Sequence, residues 1–256
     1  MKEITEINEL HRIVLDIAKI FHTICIKHNI PYYLCGGGML GAIRHKGFIP
    51  WDDDLDFLVP RTYFCKLINI LKKELPTYYK IVDSNDDDNI FGEIVKIEDC
   101  RTVIKDKFNT NTKIEHGVFI DLFPMDYTDG SHKLLSKNSI VLNLLRLHLL
   151  SKLRAKNTKI RLVKILPQLF GKSIYIKLIK HFTSKSGPYI ANYSGAYGER
   201  ETIPKEWLGN SLFDFEDTQF YGIQKYDEYL IQLYGNYMEL PPESKRRSHL
   251  IEIYYK

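Results

Sequence analysis

Acidic residues are missing from a long internal part of this 256-residue chain. Residues 130–198 contain no Asp or Glu but 13 Lys and Arg, whereas the rest of the chain carries 23 basic and 32 acidic side chains. The formal net charge of +4 is therefore the sum of a basic segment of +13 and a remainder of −9. With 44% hydrophobic residues the composition is otherwise ordinary, which excludes disordered, collagen-like and coiled-coil proteins.

Cysteines and long apolar runs are also scarce. The four cysteines form no CxxC pair, so we expect small buried residues in a reducing compartment. The longest apolar candidate, residues 140–150, is short and is interrupted by polar side chains, so no transmembrane helix is predicted. The first nine residues carry three glutamates, which is unlike a signal peptide. We predict a cytoplasmic protein, with the inner face of the cell membrane as a candidate peripheral contact.

The spacing of apolar residues predicts a chain of mixed α and β structure. Apolar residues recur at helical spacing over residues 4–28, which predicts an amphipathic helix. Residues 32–35 suit a buried strand, and Gly36–Gly38 then predict a tight turn before a short helix at 39–45. We also predict helices at 63–75 and 217–234 and strands at 55–59, 81–82, 92–97, 102–104 and 118–123.

The charge pattern divides the chain into three parts: residues 1–129 as a catalytic core, residues 130–198 as a basic helical segment, and residues 199–256 as a part that completes the catalytic domain. The basic segment has three interpretations. Its lysines can be solvated on a helical insert, they can bind anionic lipid at a membrane surface, or they can follow a nucleic-acid backbone. Nucleic acid is the least favoured of the three.

The stretch GGGMLGAIRHKGFIPWDDDLD, from Gly36 to Asp56, is the most informative part of the sequence. A glycine turn before a helix lets backbone N–H groups approach an anion closely. Asp54 and Asp56 stand two apart at the head of a predicted strand and so share one face. Two adjacent carboxylates repel each other unless a cation neutralises them, and a few oxygen ligands suit Mg²⁺ or Mn²⁺. An acidic turn that merely caps a strand is the alternative.

A third carboxylate lies in the run HGVFIDLFPMD, from His116 to Asp126. Asp121 sits within an otherwise apolar, strand-like stretch, where a charge is costly unless it is paired or binds a metal. Asp126 follows a proline, so we expect it in a loop or at a cap. A glycine turn, a short helix, a strand with DxD and a third carboxylate on a neighbouring strand together follow the plan of the nucleotidyltransferase fold.

Three blocks of the chain resemble the LicD family: the stretch around Asp54, the run around Asp121, and YGNYMELPPESKRRSH from Tyr234 to His249. They occur in the family's order and bracket roughly residues 30 to 250. The resemblance implies an α+β fold, with a nucleotidyltransferase-like mixed β-sheet and flanking helices, to which this chain adds a basic helical insert. It also implies a phosphotransferase that moves a phosphorylated alcohol, best known as phosphocholine, from a CDP-linked donor to a sugar hydroxyl. The acceptor would be a cell-surface glycan or its lipid-linked precursor.

The resemblance also implies roles for individual residues. Asp54, Asp56 and Asp121 would be the catalytic carboxylates and the ligands of Mg²⁺ or Mn²⁺, with Asp121 as candidate general base. His45 has an equally good alternative as a helix cap or a partner of the backbone. The residues expected to contact the substrate are Gly37, Gly38, Arg44, His45, Lys46, Arg246 and His249.

Other assignments stay open from the sequence alone. Phe48 and Trp51 flank the acidic turn, and burial under that turn is favoured over a role in lining the substrate site. The same metal-binding pattern also fits a nucleotidyltransferase that moves NMP from an NTP to a small hydroxyl acceptor. An inactive scaffold of the same fold is a third interpretation, and the intact carboxylates argue against it.

Overall fold

The computed structural model describes residues 1–83, 85–87, 90, 93–105, 114–131, 186–194, 197–246 and 252–256. The described elements combine one large sheet, one small sheet and four α-helices. The helices are α1 (Ile7–Lys27), α2 (Gly36–Arg44), α3 (Arg61–Glu74) and α4 (Tyr226–Tyr234). The strands are β1 (Lys2–Glu3), β2 (Tyr33–Leu34), β3 (Asp56–Pro60), β4 (Tyr79–Asp83), β5 (Val95–Asp99), β6 (Thr102–Ile104), β7 (Phe119–Thr128), β8 (Tyr189–Ala191), β9 (Thr202–Pro204), β10 (Ser211–Phe215), β11 (Thr218–Gly222) and β12 (Ile253–Tyr255).

The large sheet is mixed, and its centre is a parallel pair. Its path runs β10-β11-β2-β3-β7-β5-β4, and β8 and β9 extend it from β7. Strands β3 and β7 are parallel, whereas β5 pairs antiparallel with β7 on the other side. The small sheet joins both ends of the chain, in the order β1-β12-β6. These elements confirm the predicted α+β class with a mixed sheet and flanking helices.

Helix α1 covers the centre of the large sheet because its apolar residues form one continuous stripe. Leu10, Ile13, Val14, Ile17 and Phe21 recur at helical spacing and are all buried. The stripe packs against β5, β7 and helix α3. The predicted helix at 4–28 is therefore confirmed, apart from its first three residues and its last residue.

Two predicted elements differ from the structure. Gly36–Gly38 form the first turn of α2 and not a separate turn before it. The helix predicted at 217–234 begins only at Tyr226, because residues 218–222 form β11, the second strand of a hairpin with β10. Glu216 takes a φ of 54° in the tight turn of that hairpin, which stops a helix from starting there.

The structure corrects the predicted position of Asp126. It was expected in a loop or at a cap, yet it lies within β7 and is only 2% exposed. Arg61, the first residue of α3, makes burial of this carboxylate tolerable. Its Nε and Nη2 donate hydrogen bonds of 2.8 and 2.7 Å to the two oxygens of Asp126. Such a bidentate pair neutralises the charge of Asp126 inside the sheet.

The predicted basic segment falls largely outside the described residues, which omit 132–185. Near its end, β8 pairs with Asp126, Tyr127 and Thr128 of β7. The three-part division of the chain and the membrane contact stay predictions. Within the described ranges, no helix is both long enough and apolar enough to cross a membrane.

The C-terminal part packs against the elements that carry the glycines and the aspartates. Strand β11 pairs with β2 through Gly222 and Leu34, directly before α2. Helix α4 packs against α2, and the Tyr229 hydroxyl of α4 accepts a 3.0 Å hydrogen bond from the Gly36 N–H. Residues distant in sequence therefore surround the start of α2.

Candidate active site

The parallel pairing of β3 and β7 places Asp56 and Asp121 side by side. The two residues are register partners, and the Asp121 N–H donates a 3.0 Å hydrogen bond to the Leu55 carbonyl oxygen. Asp54 lies two residues before Asp56, as the DxD spacing predicts. We call Asp54, Asp56 and Asp121 the carboxylate cluster. It lies where both strands begin, at the start of α2.

The carboxylate cluster carries more negative charge than its surroundings neutralise. Burial, together with repulsion from Asp52 and Asp121, raises the pKa of Asp54 to about 8. Burial and repulsion from Asp54 and Asp121 raise the pKa of Asp56 well above its ordinary value. Asp56 Oδ1 is also buried without a hydrogen-bond partner. An oriented, unpartnered carboxylate oxygen of this kind is suited to bind a cation.

The donor atoms at this place fit a hard divalent ion. Asp52, Asp53 and Asp54 each offer an oxygen that lies within 4.8 Å of the other two. Carboxylate oxygens alone, without thiolate or imidazole, are typical of Mg²⁺ or Mn²⁺ sites. Asp52 and Asp53 were not among the predicted ligands. The run of three aspartates was the signal, but a turn of this composition is also common without a metal.

The glycines of α2 allow the acidic loop to approach the helix closely. A Cβ on Gly37 would lie 2.6 Å from Asp52 Oδ2, so a side chain there would displace the Asp52 carboxylate. The first N–H groups of a helix lack partners within the helix, and this end carries partial positive charge. The Gly36 N–H already bonds Tyr229, and binding of a substrate by Gly37 and Gly38 stays a prediction.

Lys96 is the most informative residue that the sequence argument missed. It lies opposite Asp121 in the antiparallel β5–β7 pair, and its Nζ is 2.7 and 2.9 Å from Asp121 Oδ1 and Oδ2. A lysine between the apolar residues Val95 and Ile97 was the available signal. Its partner follows only from the strand register, which the sequence does not reveal.

The predicted basic run occupies the other end of α2. Gly36 and Arg44 are the first and last residues of the nine-residue helix α2, so they lie about 12 Å apart along its axis. Arg44 Nη1 donates a 2.7 Å hydrogen bond to the Tyr237 carbonyl oxygen, and its Nε donates one of 2.9 Å to His45 Nε2. Lys46 is exposed and adopts a φ of 58°. The structure thus does not bring these residues to Gly37 and Gly38, and their contact with substrate stays a prediction.

The C-terminal block docks on the loop that leads to the aspartates. Arg246 Nε donates a 2.8 Å hydrogen bond to the Pro241 carbonyl oxygen, and its guanidinium lies 5.3 Å from the centre of the Trp51 ring. Burial and, to a smaller extent, the nearby Arg246 charge lower the pKa of Arg44, although Tyr234 acts in the opposite direction. His249 lies outside the described residues. Arg44, Trp51 and Arg246 therefore form a cationic and aromatic group beside the acidic loop.

His11 and Glu216, which were not predicted as site residues, fix the acidic loop through hydrogen bonds to its backbone. His11 of α1 stacks on Phe48 with ring centres 4.2 Å apart, and its Nε2 lies 2.7 Å from the Asp52 carbonyl oxygen. Since a carbonyl only accepts, Nε2 carries the hydrogen. Glu216 Oε1 accepts a 3.0 Å hydrogen bond from the Phe48 N–H. Phe48 is buried, as the favoured interpretation expected.

Comparison with known proteins agrees with this geometry. The family model described as LicD/FKTN/FKRP, nucleotidyltransferase domain, matches residues 29–142. The lipopolysaccharide cholinephosphotransferase LicD of Haemophilus influenzae is 32% identical over 274 residues, which cover 100% of this chain and 99% of that protein. An uncharacterized protein of Rickettsia prowazekii is 50% identical over 41 residues, 16% of this chain and 15% of that protein. The relationship to the Haemophilus protein extends over the whole chain, and the family match includes all three members of the carboxylate cluster. This chain belongs to the LicD family of phosphotransferases.

Proposed function

We propose that this protein transfers phosphocholine from CDP-choline to a sugar hydroxyl of a cell-surface glycan or its lipid-linked precursor, with Mg²⁺ or Mn²⁺ as cofactor. The full-length similarity to a lipopolysaccharide cholinephosphotransferase supports the transferred group and the glycan acceptor. The carboxylate cluster carries the proposal for this chain, because it joins Asp54, Asp56 and Asp121 at one end of adjacent strands.

The reaction joins an acceptor oxygen to the phosphorus of the donor and releases CMP. The P–O bond to CMP breaks, and the acceptor hydroxyl loses its proton. A bound divalent ion would neutralise charge on the donor phosphates. Asp54 and Asp56 would hold that ion, since Asp56 Oδ1 is buried without a hydrogen-bond partner.

The remaining groups of the site position the donor and accept the proton. The N–H groups of Gly37 and Gly38, in the first turn of α2, would bind a phosphate oxygen. Asp121, on the neighbouring strand, is our candidate acceptor for the hydroxyl proton. Arg246 and Trp51, in the cationic and aromatic group, would face the CMP side of the donor.

A donor screen tests the proposal directly. First, thermal unfolding of the purified chain would be measured with Mg²⁺ and one of six compounds: CDP-choline, CDP-ethanolamine, CDP-ribitol, CDP-glycerol, CMP or ATP. Second, release of CMP would be measured with and without a lipopolysaccharide acceptor. We expect CDP-choline to raise the unfolding midpoint, because a ligand of the native state stabilises it by mass action. We also expect CMP release only when the acceptor is present. Stabilisation by ATP but by no CDP compound would instead support NMP transfer and refute our proposal.

A further inference from the structure

One basic side chain is built into the carboxylate cluster. Among the described residues, Lys96 is the only one whose cationic group is shown in contact with Asp54, Asp56 or Asp121. Its Nζ bonds both oxygens of Asp121, so neither oxygen of that carboxylate is without a partner. Asp56 Oδ1, by contrast, is buried and unpartnered. The three carboxylates are thus not equivalent.

The position of Lys96 is fixed from two sides. Strand β5 places it opposite Asp121, and its Nζ lies 3.4 Å from the centre of the Phe119 ring, in cation–π contact. Phe119 and Asp121 are two residues apart on β7 and so share a face. The side chain of Lys96 is 18% exposed. Leaving Asp121 would therefore cost Lys96 both an ion pair and an aromatic contact.

The contacts of Asp121 then limit how many metal ions bind at the cluster. Both oxygens of Asp121 are bonded to Lys96 Nζ, so a second ion at this carboxylate would have to displace the ammonium. Asp56, whose Oδ1 has no partner, remains available to one ion.

We infer that Lys96 takes the place of a second metal ion: the cluster binds one divalent ion through Asp54 and Asp56, while Lys96 holds Asp121 toward the site. Lys96 is then a positioning residue that acts through Asp121. The inference rests on the metal dependence in the proposed function. It adds that a fixed ammonium, and not a second ion, occupies the position next to Asp121.

The number of bound ions tests this role more sharply than activity does. Mn²⁺ alone would be titrated into the full chain, and free and bound ion would be counted by electron paramagnetic resonance. The variants are Lys96→Met, which removes the charge, and Lys96→Arg, which keeps it. Lys80→Met is the matched control, because Lys80 Nζ on β4 also pairs with a buried carboxylate, Glu98, at 3.2 Å.

We expect one Mn²⁺ per chain for the wild type, Lys96→Arg and Lys80→Met, and two for Lys96→Met, in which Asp121 is released as a ligand. A structural ion pair alone would lower the stability of both methionine variants without changing either count. Two ions on the wild type, or one ion on Lys96→Met with wild-type affinity, would overturn the inference. If Lys96→Met does not fold, the counts for the wild type and Lys96→Arg decide, and two ions on either would refute it.

The test also separates this inference from the proposed function. A wild-type chain that binds no Mn²⁺ would overturn both the single-ion inference and the metal dependence. If the donor screen selects a compound other than CDP-choline, the proposed function fails, but one ion per wild-type chain would still support the role of Lys96.

Discussion

Two groups of buried acidic residues lie on neighbouring strands of the large sheet and are neutralised very differently. Glu98 on β5 is fully buried, and it accepts hydrogen bonds from His116 Nδ1 at 2.6 Å and from the Gly117 N–H at 3.2 Å. Lys80 adds an ion pair at 3.2 Å. Asp87 accepts a hydrogen bond from the other ring nitrogen of His116. We call Glu98, His116, Gly117, Lys80 and Asp87 the Glu98 network. Lys96, which contacts Asp121 of the carboxylate cluster, lies two residues before Glu98 on β5.

The difference shows that burial alone does not identify a functional carboxylate. Burial acts to raise the pKa of Glu98, but the hydrogen bond and charge of His116, with Lys80 and Gly117, outweigh it and lower the pKa. Around Asp54, burial and like charges act together and raise the pKa to about 8. The carboxyl groups of the Glu98 network have partners, whereas Asp56 Oδ1 in the carboxylate cluster has none. Such unbalanced groups are frequent at functional sites.

The largest expected effect follows from Asp56→Asn. This change keeps the shape of the side chain but removes a ligand charge, so we expect phosphocholine transfer to fall by at least about 10³-fold, or about 4 kcal/mol. We expect unfolding stability to stay the same or to rise, since repulsion within the cluster decreases. Initial rates of CMP release and urea unfolding measure both. Activity close to that of the wild type would remove Asp56 from the catalytic site.

Glu98→Gln should show the opposite pattern. Removing the Glu98 charge takes the carboxylate partner from Lys80 and leaves His116 with Asp87 alone, so we expect a loss of about 3 kcal/mol in unfolding free energy. Binding of Mn²⁺ should stay at the wild-type level, because the carboxylate cluster is unchanged. Urea unfolding and metal titration test this pair of outcomes. Weakened metal binding in a folded Glu98→Gln protein would show that the two groups are not independent.

The smallest effect concerns the pH dependence of the Glu98 network. The hydrogen bond and charge of Glu98 raise the pKa of His116, with support from Asp87, although burial acts against them. The stabilisation from His116 is thus complete below its unfolded pKa of about 6.5 and is lost as pH rises through the folded value. The pKa of Glu98 is lowered in the folded protein, so its contribution to stability is lost as the pH falls through that folded value.

We therefore expect the free energy of unfolding of the wild type to be about 1 kcal/mol larger than that of His116→Gln between about pH 5 and 6.5. The difference should become smaller at higher pH. Urea unfolding of both proteins across this range checks the trend. A margin that grows with pH would contradict the assigned charge of His116.

Much of the fold could be predicted because its elements follow local rules. Helix α1 and strand β3 were evident from apolar spacing and from the glycine and proline residues around them. Residues 217–234 were wrongly predicted as one helix, because their apolar spacing suits both a helix and a strand. Contacts with other parts of the chain determine which of the two forms. Strand β11 forms by pairing with β10 and β2, and no local signal announces that pairing.

The site was predictable only where function imposes a motif. Asp54, Asp56 and Asp121 could be found because charges in strand-like runs need an explanation. Lys96 and Arg61 could not be assigned, because their partners depend on strand register and on the packing of α3. Arg44, His45 and Lys46 were expected to contact substrate together with Gly37 and Gly38, but α2 separates Arg44 from Gly36 by about 12 Å along its axis.

The central claim is that the carboxylate cluster requires a divalent cation and the Glu98 network does not. The most direct test is the unfolding midpoint of the wild type, Asp56→Asn and Glu98→Gln with and without Mg²⁺. At about 100 times its dissociation constant, Mg²⁺ should stabilise the wild type and Glu98→Gln by about 2.7 kcal/mol each and should leave Asp56→Asn unchanged. An equal shift in Asp56→Asn, or no shift in the wild type, would contradict the account.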